Sequence, residues 1–406
     1  MNVLFIHEVD WLTKVVFDIH TLAEALSLRG HTVYAIDYEN AWKRKNLLDL
    51  GTLKSREFKD ISRALPGSKV TVIRPGNMKI GGLGRFSAAV TSYFVIRRVI
   101  EKYNIDVIVL YSVPTSGMQA INAARKYNIP VVFRSIDILN HLVGYPVLRP
   151  ATRMLEKAVY RRADTILTLT PTLSSYVKGF GAAEGKIKEL LMPVDTGIFY
   201  PFPPPAELRQ KWGIDKDDKV VLFIGTLFDF SGLDTLIPEF AGVIREIPEA
   251  RLLIVGDGPQ RARLDSIIRE TGLGDSVTIT GFQPYNTMPL YIAMADICIN
   301  SFLITGATRD IFPGKIVQYL ACARPVVATP LPGLAAITPG EEQGMVFAAD
   351  SGEMAGKIIS LLKDKAYRDR LGQNGLNYVK ERHSYINIAA QLEANLQEAI
   401  EKKHVR

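Results

Sequence analysis

Apolar residues in this chain fall into two alternating textures. Short unbroken runs punctuate the first half: NVLFIH, TVYAIDY, KVTVIRP, DVIVLYS, PVVFRS and TILTLT. Between them the apolar positions recur every three or four residues. In DIHTLAEALSLRG, Ile19, Leu22, Ala23, Leu26 and Leu28 mark one helical face, and Gly30 stops the helix. Buried strands alternating with amphipathic helices predict βαβ units around a parallel sheet. Near residue 200 the pattern breaks. Five prolines between Pro193 and Pro205, in MPVDTGIFYPFPPP, predict an interdomain linker. A second series follows: KVVLFIG, ARLLIVGDG, SVTITG, ADICINS, RPVVAT and GMVFAA. The tail from about Ser384 to Val405 reads as a further amphipathic helix. The expected organisation is an α/β domain over residues 1–195, a second over 196–383, and a helix at 384–406 packing back toward the first.

Composition agrees with a folded two-domain chain. Its 406 residues are 47% hydrophobic and 22% charged, which excludes disorder and a disulfide-stapled miniprotein. Cys298 and Cys322 lie in apolar surroundings and are expected to be reduced core residues of a cytoplasmic protein. There is no run of 18 apolar residues, so no transmembrane helix is expected, and MNVLFIHEVD reads as a first strand rather than a signal peptide.

Charge changes the picture. The net charge is +7, but residues 1–200 hold 27 Lys and Arg against 17 Asp and Glu, while the remainder is slightly acidic. Such asymmetry points one half toward a polyanion. The segment WKRKNLLDLGTLKSREFKDISR gathers Lys43, Arg44, Lys45, Lys54, Arg56, Lys59 and Arg63. The expectation drawn from it is peripheral association with an anionic leaflet on the cytoplasmic face of a membrane, a solvated helix being the plainer alternative. No interleaved aromatic and basic module argues for nucleic acid.

The candidate chemistry lies at glycines that end strands in the second half: Gly225, then Gly256 and Gly258, then Gly281. Carboxyl ends of parallel strands are where ligands bind in such sheets, and glycine lets backbone N–H groups approach a phosphate. After Gly225, Ser231 is the expected N-cap of a helix carrying Leu233, Leu236, Ile237, Phe240, Val243, Ile244 and Ile247 on its apolar side. In GATRDIFPGKIVQYLACARP, Pro313 and Gly314 open a helix with Lys315 in its first turn. A first-turn lysine opposes the helix dipole, and a bound diphosphate relieves that conflict. Phosphate-loop spacing is absent, His7-Glu8 has no second histidine, and no hydrolase triad is visible.

These segments, in this order, resemble the retaining glycosyltransferases of family 4. The resemblance rests on LAEALSLRGHTVYAI, MPVDTGIFYP, VVLFIGTLFDFSGLDTLI, LLIVGDGP, ITGFQPYNTMPLYIAMADICINS and KIVQYLACARPVVAT, and it spans nearly the whole chain. It implies the GT-B fold: two facing Rossmann-like domains with parallel sheets and a deep interdomain cleft, the first binding acceptor and the second a nucleotide sugar. Thr226 and Ser231 stand where the family often has Arg and Lys, with Gly232 following. Asp310 and Gln318 stand where it has paired glutamates, one for the donor sugar and one for the ribose. Thr13-Lys14 replaces its N-terminal Gly-Gly loop. In place of its N-domain histidine, VVFRSIDILNH offers Asp137 and His141.

The expected activity is transfer of a sugar, with retention, from a nucleoside diphosphate sugar to a glycan or lipid-linked acceptor, with no metal or other cofactor. Asp137, His141 and Asp310 are the catalytic candidates. Lys14, Lys315 and backbone groups at Gly232 and Gly314 are the candidate phosphate clamp. Phe282, Gln283, Phe312 and Ile316 complete the candidate donor set. The alternatives are a non-catalytic protein of the same fold that binds a partner or glycan, and a sugar-nucleotide epimerase.

Overall fold

The computed structural model describes residues 1–39, 50–79, 83–143 and 146–405. The chain divides into two compact units. Unit 1 comprises Met1–Pro193 and Tyr385–Arg406, and unit 2 comprises Val194–Ser384.

In unit 1 the strands are β1 (Asn2–Ile6), β2 (Thr32–Ile36), β3 (Gly51–Thr52), β4 (Arg56–Ile61), β5 (Val70–Arg74), β6 (Asn77–Met78), β7 (Val107–Leu110), β8 (Val131–Ser135), β9 (Thr165–Thr168) and β10 (Ile187–Glu189). Among the described residues, eight form one sheet in the order β10-β9-β8-β7-β1-β2-β5-β4, and β3 pairs with β6 in a separate ribbon. All pairings in the large sheet are parallel except β4 with β5. Each apolar run expected in this half is a strand. They are unbroken because both sheet faces are covered. Helices α1 (Asp18–Leu28) and Tyr385–His404 pack on one face, through Ile19, Leu22, Ile388 and Leu392. Helices α2 (Leu83–Tyr103), α3 (Gly117–Lys126) and α4 (Arg149–Arg162) pack on the other, through Ile96, Ile121 and Val159.

Two details differ from expectation. Leu28, placed on the apolar face of α1, is 45% exposed, because the helix ends there and its last turn leaves the sheet. The basic segment around residue 55 is no helix. Arg56 and Lys59 lie on β4, the antiparallel edge strand, where Arg56 pairs with Glu39 at 2.7 Å. Charged side chains suit a sheet edge, which they protect from further pairing. Lys43, Arg44 and Lys45 lie outside the described residues.

Unit 2 contains β11 (Lys219–Ile224), β12 (Ala250–Val255), β13 (Val277–Ile279), β14 (Ile297–Asn300), β15 (Val326–Ala328) and β16 (Met345–Phe347), again at the six predicted runs. Among the described residues they form one parallel sheet in the order β13-β12-β11-β14-β15-β16. This is the doubly wound order, and the strand sequence reverses between β11 and β14. The proline-rich segment is docked rather than loose: Phe199 is fully buried and its ring meets Tyr285 edge-on. Cys298 and Cys322 are buried free thiols, as expected.

Backbone contact is tightest where β11 and β12 end. A β-carbon on Gly256 would lie 1.9 Å from the Gly225 carbonyl oxygen, and Gly256 itself has a φ of +155°. Gly256→Ala is therefore expected to lower the urea midpoint of unit 2 unfolding. The strained backbone alone accounts for roughly 1–3 kcal/mol, and displacement of the carbonyl adds to it.

Candidate functional site

The reversal point of unit 2 assembles the second-half candidates. Strand β11 runs into Gly225, whose φ of +153° turns the chain sharply, and the Gly225 N–H still bonds to the Val255 carbonyl at 3.0 Å. Thr226 follows, exposed. Ser231 does not cap the next helix. Gly232, in the left-handed region at φ +67°, is the N-cap of Leu233–Glu246 and supplies no side-chain bond. The reason is space: a β-carbon at Gly232 would meet the Ser301 carbonyl at 2.0 Å. Ser231 is buried instead, its carbonyl accepting from the Ser301 hydroxyl at 2.7 Å. The helix N-terminus is thus pressed onto the end of β14, with its first N–H groups uncapped by any side chain.

Lys315 is the first residue of the helix Lys315–Ala321, with Gly314 as N-cap. Its Nζ is buried and makes no hydrogen bond. It lies 3.6 Å from the ring centroid of Phe223 and 4.2 Å from that of Phe302. It is also 3.6 Å from where a Gly225 β-carbon would stand, so any side chain there would crowd it. Burial holds the amine's proton affinity well below that of a surface lysine, with the Cys298 thiol opposing the shift. The two ring faces attract the ammonium form but do not replace lost water. On β14, the strand next to β11, the terminal residue Asn300 is fully buried and has neither amide atom bonded. A lysine amine and a carboxamide, each buried without a hydrogen bond at the sheet's reversal point, are the groups here with polar capacity left for a ligand. The Tyr319 hydroxyl is committed to structure, accepting from the Ile224 N–H at 2.7 Å.

The remaining unit 2 candidates separate by exposure. Gly258 sits over Leu227, where a β-carbon would fall 2.7 Å from the Leu227 nitrogen. Gly281 bridges to Gly256. Phe282 is 66% exposed, and Gln283 donates to the Thr280 carbonyl at 3.2 Å. Asp310 and Gln318 are half-buried, Asp310 lying 3.7 Å from the Arg309 guanidinium. Phe312 and Pro313 are buried, the Phe312 ring stacking on His383 at 5.8 Å, and Ile316 is fully buried. The side chains of Phe312 and Ile316 therefore serve the core, leaving only their backbone to a ligand.

Unit 1 has its own reversal point, between β1 and β7. Asp10 folds the loop after β1, accepting from the Leu12 and Thr13 N–H groups at 3.0 and 3.1 Å and pairing with Arg74 at 2.7 Å. Arg63 donates to the Lys14 carbonyl at 2.7 Å. The Lys14 side chain remains exposed, and its charge is felt by both His7 and Asp137. Beneath them, Arg134 and Asp18 form a fully buried ion pair at 3.1 Å, and the Tyr111 hydroxyl donates to Asp18 at 2.8 Å. Burial, reinforced by the Asp18 charge and opposed by Lys14, pushes the Asp137 carboxyl up to about 6. Burial likewise lowers His7 to about 3, so its imidazole is neutral. Lys14 thus acts on Asp137 through its charge and not through an ion pair. His141 is exposed in the turn Leu139–Leu142, its N–H bonding to the Ile138 carbonyl at 3.1 Å.

Sequence reading missed Asn300, Phe223 and Phe302 in unit 2, and His7, Asp18, Tyr111 and Arg134 in unit 1. The only sequence signal for them is position: each lies on a strand, just past one, or on a helix beside the reversal point.

Comparison with known proteins agrees with this layout. Residues 205–378 match the family described as glycosyl transferases group 1, and residues 15–190 match the glycosyl transferase 4-like domain. An alpha-D-kanosaminyltransferase of Streptomyces kanamyceticus is 28% identical over 261 residues, covering 62% of this chain and 66% of that protein. A GDP-mannose-dependent alpha-(1-6)-phosphatidylinositol monomannoside mannosyltransferase of Mycobacterium tuberculosis is 28% identical over 257 residues, with the same coverage. The chain thus spans just under two thirds of the length of these curated relatives. Among solved structures, a sucrose-phosphate synthase from Thermosynechococcus elongatus superposes with a TM-score of 0.76 at 21% identity over 98% of both chains. Anabaena HepE, solved with UDP and glucose, gives 0.74 at 19% identity over 97% of this chain and 99% of that one. At these identities the likeness establishes the fold, GT-B.

The raised carboxyl of Asp137 has a measurable consequence. A carboxyl whose folded value exceeds its unfolded one favours the protonated fold. Its contribution is complete below about pH 4 and is lost as pH rises through about 6. Asp137→Asn, neutral throughout, escapes that loss. Urea midpoints at pH 4 and pH 7 are expected to show the variant gaining on the parent protein as pH rises.

Proposed function

This chain belongs to the family 4-type glycosyltransferases, and from that premise we propose that it transfers a sugar, with retention, from a nucleoside diphosphate sugar to a glycan or lipid-linked acceptor. Unit 2 binds the donor and unit 1 the acceptor. The observation that carries the reading is Lys315: a buried, unpartnered amine beside Gly225 at the reversal point of a doubly wound sheet.

In the transfer, the bond between the anomeric carbon and the distal phosphate oxygen breaks, its electron pair staying on the diphosphate. The acceptor oxygen bonds to the same carbon from the same face and gives up its proton. Negative charge grows on the departing phosphate, so the catalyst needs positive potential there. Lys315 and the uncapped N–H groups behind Gly232 and Gly314 supply it. With Thr226 and Ser231 in place of Arg and Lys, Lys315 is the principal cation of unit 2 for this task. Asp310 and Gln318 retain hydrogen-bonding capacity for sugar and ribose hydroxyls. Lys14 and Asp137 serve the acceptor side, where a carboxyl near 6 is suited to accepting the hydroxyl proton.

The binding test is calorimetry with UDP and GDP. Lys315→Ala is expected to weaken the preferred nucleotide by ~1.5–3 kcal/mol, the range for a hydrogen bond to a charged group. Unchanged affinity would remove the phosphates from the Lys315 amine. Lys14→Ala is expected to reduce turnover in a transfer assay more than nucleotide affinity, because its contribution belongs to the reacting complex.

A further inference from the structure

The basic excess of the first half has a location that the contiguous run of lysines and arginines does not reveal. Helices α2, α3 and α4 share one core against the sheet, so their outer sides form one layer. Those three helices carry eleven Lys and Arg against two glutamates. Of the two, Glu156 is fully buried, and Glu101 bonds to the Tyr127 hydroxyl.

The arrangement is more telling than the count. On α4, Arg149, Arg153, Lys157 and Arg161 recur every four residues and are all exposed, forming one ridge along the helix. Among the described residues, none of the four has an acidic partner within ion-pair distance. Like charges at that spacing repel and weaken the helix that bears them, so the ridge is a cost to the free protein. Beside it lie Val147, Leu148 and Met154, which are 82%, 50% and 74% exposed. On α2, Phe86, Val90 and Phe94 also recur every four residues and are 70%, 45% and 60% exposed. Met118 of α3 extends this apolar ridge toward α4 across an open depression. A hydrophobic ridge beside an uncompensated basic one, on one helical layer, matches a bilayer interface: apolar side chains for the acyl boundary, cations for headgroup phosphates. An acidic protein or a nucleic acid answers the charge but leaves six exposed apolar side chains unexplained. Among the described residues no helix is long and apolar enough to cross a membrane.

We propose that the outer face of α2, α3 and α4 seats unit 1 on an anionic lipid bilayer, with Phe86, Val90 and Phe94 entering the acyl boundary and the Arg149–Arg161 ridge on the phosphates. The proposal does not depend on the donor reading, and nucleotide affinity is measured alongside to keep the two apart. The test is cosedimentation of the full chain with phosphatidylcholine vesicles, with and without one-third phosphatidylglycerol, at low and high salt. Binding is expected only with the anionic lipid and is expected to fall with salt. The triple variant Arg149→Gln/Arg153→Gln/Lys157→Gln is expected to lose on the order of a hundredfold in partitioning, at roughly fivefold per charge, with unchanged circular dichroism and UDP or GDP affinity. A double variant of the sheet edge, Arg56→Gln/Lys59→Gln, is expected to lose little. Phe94→Trp is expected to show a blue-shifted emission on the anionic vesicles. Absence of binding to anionic vesicles, equal binding to the zwitterionic ones, a larger loss from the edge variant, or an unshifted tryptophan would each overturn the proposal. So would tighter salt-resistant binding to single-stranded RNA that the α4 variant abolishes, which would assign the face to nucleic acid.

Discussion

Two carbonyl oxygens, those of Gly225 and Ser301, are approached so closely by neighbouring loops that a β-carbon on Gly256 or Gly232 would stand 1.9 or 2.0 Å away. Everything at the unit 2 site follows from this backbone-on-backbone contact. It brings the end of β12 onto the end of β11, and the start of the Leu233–Glu246 helix onto the end of β14. With no side chain at Gly225, the space over that strand end is open, and the Lys315 amine occupies its edge. Glycine at these positions is a steric requirement before it is a chemical one, and the exposed N–H groups are its by-product. A phosphate bound as proposed would exploit a geometry that the sheet's own closure demands.

Parallel architecture was legible because strands covered on both faces must be unbroken apolar runs, and twelve such runs became strands. β4 was illegible for the same reason. An antiparallel edge strand, REFKDI, is exposed and charged, so nothing in its hydropathy separates it from a solvated helix. The candidate site was legible where function sits on backbone, as at Gly225, Gly256 and Gly258, whose strand-end positions can be read directly. It was illegible where function sits on burial. Sequence places Lys315 in a first turn but cannot show its amine lying on Phe223, a residue 92 positions earlier on β11. The Ser231 cap failed because local preference for a serine cap yields to the Ser301 carbonyl, which admits only glycine at the next position. Charge patterning has the same limit. Lysines adjacent in sequence draw the eye, whereas the ridge on α4 is adjacent only in space, one residue per turn.

The two units handle buried charge in opposite ways. In unit 1, Arg134 is surrounded: Asp18 pairs with it, and the Leu190 and Leu191 carbonyls accept from its guanidinium at 2.6 and 3.4 Å. Such a satisfied buried pair contributes little net stability, but it is costly to break. It fixes Asp18, whose charge is part of what keeps the Asp137 carboxyl protonated to higher pH. The ion pair acts here as a fixed reference against which a neighbouring carboxyl is tuned.

In unit 2 the corresponding cation has no such partner. A buried lysine without an anion gives up its proton rather than bear the full cost of desolvation. Lys315 is accordingly shifted toward the neutral amine, resting on Phe223 and Phe302. In the proposed reading a bound phosphate would reverse the balance, because an adjacent dianion favours the ammonium form. Affinity would then comprise an attraction and a proton gained, and would strengthen as charge on the phosphate grows. That dependence would suit a departing diphosphate, whose charge is greatest as the sugar leaves. An arginine, charged at every accessible pH, would hold ground state and product alike. A lysine enclosed by two aromatic rings would tie its own charge to that of a phosphate beside it.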